Sequence, residues 1–251
     1  MLEYPYMQFD INDPLLHERL ITGFNHFRRF SLDRKPHIKA YNKARNTHGE
    51  IVNAMVQYHQ DGKFERRVSN DIAPGIKYKN LRLLKSDFDL NTREGGQAFY
   101  DMLIYKSTPS MSCITEDFIR DHRYKKPEKI EFLHSMLDSK LGLFEVTDIN
   151  MEEGYAYLKD VFTGNECTII DIGLSGQPNY DDNYLYTRII TYRDINFGSG
   201  LNLIFNKKEQ FIKNFIQKHK KNFTPDMEFV RFTELYNHYS QNKDKIRVVA
   251  T

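Results

Sequence analysis

The apolar positions define the first elements. Asp13-Pro14 offers an N-cap followed by proline at the first helical position, and Leu16, Leu20, Ile21, Phe24 and Phe27 then recur at helical spacing to Phe30. A second helix follows Pro36. On it Tyr41, Ala44, Ile51, Val52 and Met55 fall within an arc of about 100°, and Lys39, Lys43, Asn46, Glu50, Asn53 and Gln57 take the opposite side. Residues 61–92 are mixed and punctuated by Asp61-Gly62 and Pro74-Gly75, which reads as short strands or loops. Helical spacing returns from Arg93 to Lys106, a short helix starts at Thr115-Glu116-Asp117, and Pro127 opens another through Ile130, Leu133, His134 and Leu137.

After residue 142 the period drops to two. Leu143–Val146, Tyr155–Leu158, Thr168–Ile172, Asn183–Ile195 and Leu201–Phe205 alternate as strands do, with Gly154, Gly164, Gly173, Gly176, Gly198 and Gly200 at their ends. Residues 207–222 then form a basic helix, and Thr224-Pro225-Asp226 caps a last one carrying Phe229, Phe232, Tyr236 and Tyr239. The expected fold class is α+β, in three parts. Residues 1–92 make a basic, mainly helical region with a strand or loop tail. Residues 93–205 are helices leading into a small antiparallel β barrel or rolled sheet, and residues 206–251 are helices packing on the rest.

Composition narrows the class. At 251 residues, 40% hydrophobic and 28% charged, the chain can bury a real core and is not disordered. It has no run of eighteen apolar residues and no signal-peptide pattern at "MLEYPYMQFD", and only Cys113 and Cys167 occur. A cytoplasmic location follows as the expectation, with no membrane partner. The net charge of +2 hides a segregation: residues 19–85 carry fifteen Lys and Arg against five acids, whereas residues 86–205 carry eleven against twenty.

Candidate chemistry is sparse. In "LKDVFTGNECTIIDIGLSG" the second glycine of a nucleophile elbow is misplaced, since Ser175 is followed directly by Gly176, so the stretch reads as a hairpin. His26, His37, His48 and His59 recur every eleven residues. On one helix they would stand about 16 Å apart, too far to share an ion, and they read as interface histidines. Asp117 and Asp121 share a helix face, and with His122 and His134 they are the residues an enzyme reading would draw on. No catalytic residue, metal ligand or cofactor is assigned. The one binding candidate is the basic run Arg28, Arg29, Arg34, Lys35, Lys39, Lys43 and Arg45, interleaved with Phe27, Phe30, His37 and Tyr41. It suits a phosphate backbone with stacked bases, or else docks on the chain's own acidic middle segment.

The stretches Phe99-Tyr100, Thr115, Phe132 to Val146 and the hairpin from Leu158 to Gly164 resemble a large group of uncharacterised bacterial proteins. Many of those end in the SEC-C zinc motif, also found at the C-terminus of the secretion ATPase SecA. The resemblance spans about residues 98–205 and brings no catalytic residues. Cys113 and Cys167 lie too far apart in sequence to form the zinc knuckle, so it implies no zinc here. Two readings stay open. One is a non-enzymatic cytoplasmic binding or adaptor protein that contacts nucleic acid, a ribonucleoprotein, or the translation or secretion machinery, with homo-oligomerisation compatible. The other is a hydrolase-type enzyme with a cleft between the helical layer and the sheet.

Overall fold

The structure is a computed structural model that describes residues 26, 28–30, 35–60, 76–78, 81–83, 93–105, 112–121, 124, 126–176, 180–220 and 227–242. The helix expected from residue 14 lies mostly outside the described residues, which include only residues 26 and 28–30 at its end. Pro36 opens α1 (Pro36–Gln60), where its missing N–H costs nothing, and Ile38, Tyr41, Ala44, His48, Ile51 and Met55 form its buried stripe. A two-stranded hairpin, β1 (Ile76–Tyr78) and β2 (Leu81–Leu83), stands within the mixed tail. Three helices follow: α2 (Arg93–Tyr105), α3 (Ile114–Asp121) and α4 (Pro127–Leu137). No described helix is long and apolar enough to cross a membrane.

The alternating segment forms one antiparallel sheet of β3 (Lys140–Asn150), β4 (Tyr155–Asp160), β5 (Glu166–Ile170), β6 (Asn183–Tyr192) and β7 (Ile195–Asn206), in the order β5-β4-β3-β6-β7. The expected barrel does not close. The edge strands β5 and β7 approach without a backbone ladder, and Asn196 Nδ2 bridges them by donating to Thr168 O at 2.9 Å. The glycines divide between two roles. Gly154 and Gly164 sit in tight turns at positive φ, as expected, and Asp160 holds the second turn by accepting from the amides of Phe162 and Thr163. Gly198 and Gly200 instead lie inside β7. Thr187 pairs with Asn202 and Ile189 with Gly198, so residues 199–201 all face Arg188 in a bulge. The strand expected from Asn183 to Ile195 is broken by a turn at Arg193-Asp194, with Arg193 at φ 53.

After β5 comes the one-turn α5 (Ile172–Ser175), and after the sheet come α6 (Gln210–Lys220) and α7 (Glu228–Asn242). Helices α6 and α7 clasp each other: Glu234 accepts from Lys218 and pairs with His219, and His238 stacks on Phe211 at 3.8 Å. The main core joins Ile38, Ile51, Met55, Leu103, Phe118, Phe132 and Phe232 to Tyr186, Ile190, Leu203 and Phe205 on one sheet face. Phe144, Val146, Leu158, Ile169, Leu185 and Ile189 alternate with these and form a second core with Leu174 and Tyr180 on the other face. Two cores on two faces bury the middle of β6 on both sides, which is why its polar groups are informative.

Candidate functional site

The basic run divides into inward and outward residues. Phe30 is fully buried and packs against the β3–β4 turn, where a Cβ on Gly154 would stand 3.1 Å from its ring. That contact brings Arg29 and Lys35 to the turn. Arg29 Nη2 donates to Glu152 O at 3.1 Å, and Lys35 Nζ donates to the same oxygen at 3.2 Å and to Glu153 Oε1 at 2.6 Å. His37 completes the seam, hydrogen-bonded to Glu153 O and stacked on Tyr155 at 5.0 Å. Farther along α1, Arg45 Nη1 donates to Gly198 O at 2.8 Å, an oxygen the β7 bulge leaves available. So part of the run does dock on the chain's own acidic segment. Lys39 and Lys43 are exposed, four residues apart on the polar stripe of α1, with no partner among the described residues; Arg28 is also exposed, and Arg34 lies outside the described residues. Gly154→Ala is expected to destabilise the fold by about 1–2 kcal/mol, because it forces a side chain into φ +73 against Phe30; urea denaturation would measure it.

The other candidates are engaged structurally. Ser175 is completely buried and donates to Ile172 O at 3.2 Å. His26 Nε2 is 3.4 Å from its hydroxyl but only 2.9 Å from that same carbonyl. A nitrogen facing a carbonyl carries a hydrogen and cannot take the serine proton, so the pair is no nucleophile and base. Burial lowers the His26 pKa, against the effect of its bond to Ile172 O. Asp117 and Asp121 share Arg120, at 2.7 and 3.2 Å; Asp117 also accepts from Ser112, and Asp121 from Tyr58. Burial and the Asp121 carboxylate push the Tyr58 hydroxyl up to about 12. His134 is exposed on α4, and His122 lies outside the described residues. Among the described residues, no three His, Cys, Asp or Glu side chains are placed to hold a metal ion.

One cluster escaped sequence reasoning. Arg188 is 1% exposed, yet it stands in the middle of β6 facing the helices. Its Nε donates to Asp101 Oδ1 on α2 at 2.8 Å, and its Nη2 donates to Glu228 Oε1 on α7 at 3.0 Å. Its Nη1 reaches Ser139 Oγ at 3.4 Å, and its guanidinium lies 5.0 Å from the centre of the Tyr105 ring. Ser199, in the bulge, donates to Asp101 Oδ2 at 2.8 Å. Burial opposes the Arg188 charge, but the two carboxylates more than offset it and hold its pKa above the ordinary arginine range. Burial raises the Asp101 carboxyl, while its bonds to Arg188 and Ser199 pull it back. The cluster ties α2, α7, β6 and the β7 bulge together with its polar groups satisfied, which is the arrangement of a structural hub.

No curated protein and no solved structure matches the chain. A family model covers residues 35–248, from the docked lysine through the last helix, and the chain therefore belongs to that family, a family of unknown function designated DUF7986.

Proposed function

We propose that this protein is a non-enzymatic binding or adaptor protein of the cytoplasm, and that its partner is a nucleic-acid strand held through the outer face of α1. The observation that carries this reading is the division of the basic run. Arg29, Lys35 and Arg45 turn inward onto the sheet, while Lys39 and Lys43 stay exposed and unpartnered among the described residues. Two ammonium groups one helical turn apart, about 6 Å along the axis, can follow successive phosphates. The engagement of Ser175, Asp117 and Asp121 by neighbouring groups supports a binding role over hydrolysis. The presence of only two cysteines, both free, supports the cytoplasmic assignment as part of the same proposal.

The test is the double reversal Lys39→Glu and Lys43→Glu. Neither side chain lies on the buried stripe, so the thermal midpoint is expected to stay within about 2 °C of the parent value, as for other surface changes. Binding to a labelled single-stranded oligonucleotide is expected to weaken, and the log–log salt slope to fall by about 1.4, about 0.7 for each lost phosphate contact on a single strand. A parent protein that binds neither single- nor double-stranded nucleic acid at about 50 mM salt would overturn the reading. A large drop in midpoint would also overturn it, since it would place these lysines against the chain's own acidic segment.

A further inference from the structure

Beyond Lys43 the exposed stripe of α1 continues through Asn46 to Glu50. At about 100° per residue, Lys39, Lys43, Asn46 and Glu50 fall within about 60° of one another. Glu50 stands about 16 Å along the axis from Lys39 and about 10 Å from Lys43. Its side chain is 65% exposed, and its carboxylate accepts from Lys129 Nζ of α4 at 3.1 Å. So α4 delivers a third ammonium to the line that Lys39 and Lys43 begin, but delivers it already paired. The same ammonium lies 5.5 Å from the centre of the Tyr124 ring, which is half-buried and tilted against Phe118. Of the other acids on α4, Glu131 is bonded to Arg193, and Glu128 acts on that same arginine. Glu50 is therefore the acid that answers Lys129.

We infer that the strand-binding face runs from α1 onto α4, with Lys129 as a third phosphate contact that Glu50 holds in reserve. This rests on the reading of Lys39 and Lys43 as strand contacts, and adds how that face is regulated. A phosphate oxygen and a carboxylate oxygen ask the same of an ammonium, so a strand lying along Lys39 and Lys43 competes directly with Glu50. Glu50 is a weak competitor, because ion pairs with an exposed partner contribute little. Tyr124 keeps the released ammonium in place, since the face of an aromatic ring attracts a cation. The third contact is conditional on the first two, which bring the strand's next phosphates to Lys129 at high effective concentration.

Glu50→Gln removes the competitor and is expected to tighten binding of a labelled single-stranded oligonucleotide by up to about fivefold. In that background Lys129→Gln leaves no orphaned acid. It is expected to lower the log–log salt slope by about 0.7, the value of one single-strand phosphate contact, whereas Lys129→Arg keeps the slope. No gain in affinity from Glu50→Gln, or a slope unchanged by Lys129→Gln, overturns the inference. The binding reading survives that result if reversing Lys39 and Lys43 still lowers the slope. Should Lys129→Gln fail to fold, amine-reactive footprinting of the Glu50→Gln protein decides. Bound oligonucleotide is expected to shield Lys129 together with Lys39 and Lys43, and shielding of Lys39 and Lys43 alone overturns the third contact. A parent protein that binds no oligonucleotide overturns both readings.

Discussion

Arg188→Met is expected to destabilise the fold by about 3–5 kcal/mol, the usual cost of removing one partner from a buried ion pair. The methionine fills much of the arginine's volume, so the loss is mainly electrostatic. Asp101, 3% exposed at its side chain, keeps only Ser199, and Glu228 loses its guanidinium. Loss of the cation over the Tyr105 ring adds to this. Adding Asp101→Leu and Glu228→Met to the same chain is expected to recover most of the loss. No uncompensated carboxylate then remains, while Ser139 and Ser199 keep their bonds to Met136 O and the Leu201 amide. Urea unfolding of the single and triple variants measures both effects. A single variant within 1 kcal/mol of the parent would show that Asp101 and Glu228 do not depend on Arg188.

That network was not legible in the sequence, and the reason is distance along the chain. Arg188 is 87 residues from Asp101 and 40 from Glu228, and Ser199 is 98 from Asp101. Each looks like an ordinary charge or hydroxyl until the sheet brings them together. Local signals fared better. The switch from helical to alternating spacing marks the five strands, and Pro36 and Pro127 mark helix starts, because those patterns are imposed by a single element's own geometry. Closure of the sheet is not such a property. Five strands of this length suit a barrel or an open roll, and only the spacing between β5 and β7 decides. Gly198 and Gly200 resemble turn glycines for the same reason: a bulge and a turn ask the same backbone freedom, and pairing register distinguishes them. The charge segregation was visible, but which cations dock was not, because that depends on where Phe30 seats the chain on the β3–β4 turn.

Acid sensitivity is expected to centre on His48. Its ring is enclosed by Tyr105, Phe132 and Phe197, and Tyr105 is 2.5 Å from its Nε2. Burial, and then the Arg45 charge, lower its pKa to about 3. Burial also pushes the Tyr105 hydroxyl up, so the phenol stays protonated and donates to the neutral imidazole. In the unfolded chain a histidine titrates near 6.5. Above that pH both states are neutral there and His48 contributes no pH dependence. Between about 6.5 and about 3 the unfolded chain binds a proton that the folded protein does not, so stability falls as pH drops through this window. The cost by pH 5 is about 2 kcal/mol, most of it gained below pH 6. Carboxylates contribute mainly at lower pH, so comparison with His48→Gln, which keeps a hydrogen-bonding group beside Tyr105 but does not titrate, isolates the term. The variant is expected to be less stable than the parent at pH 7.5, and the gap is expected to narrow by about 2 kcal/mol by pH 5. Urea unfolding across that range measures it, and parallel profiles would mean that His48 takes up its proton without unfolding the protein.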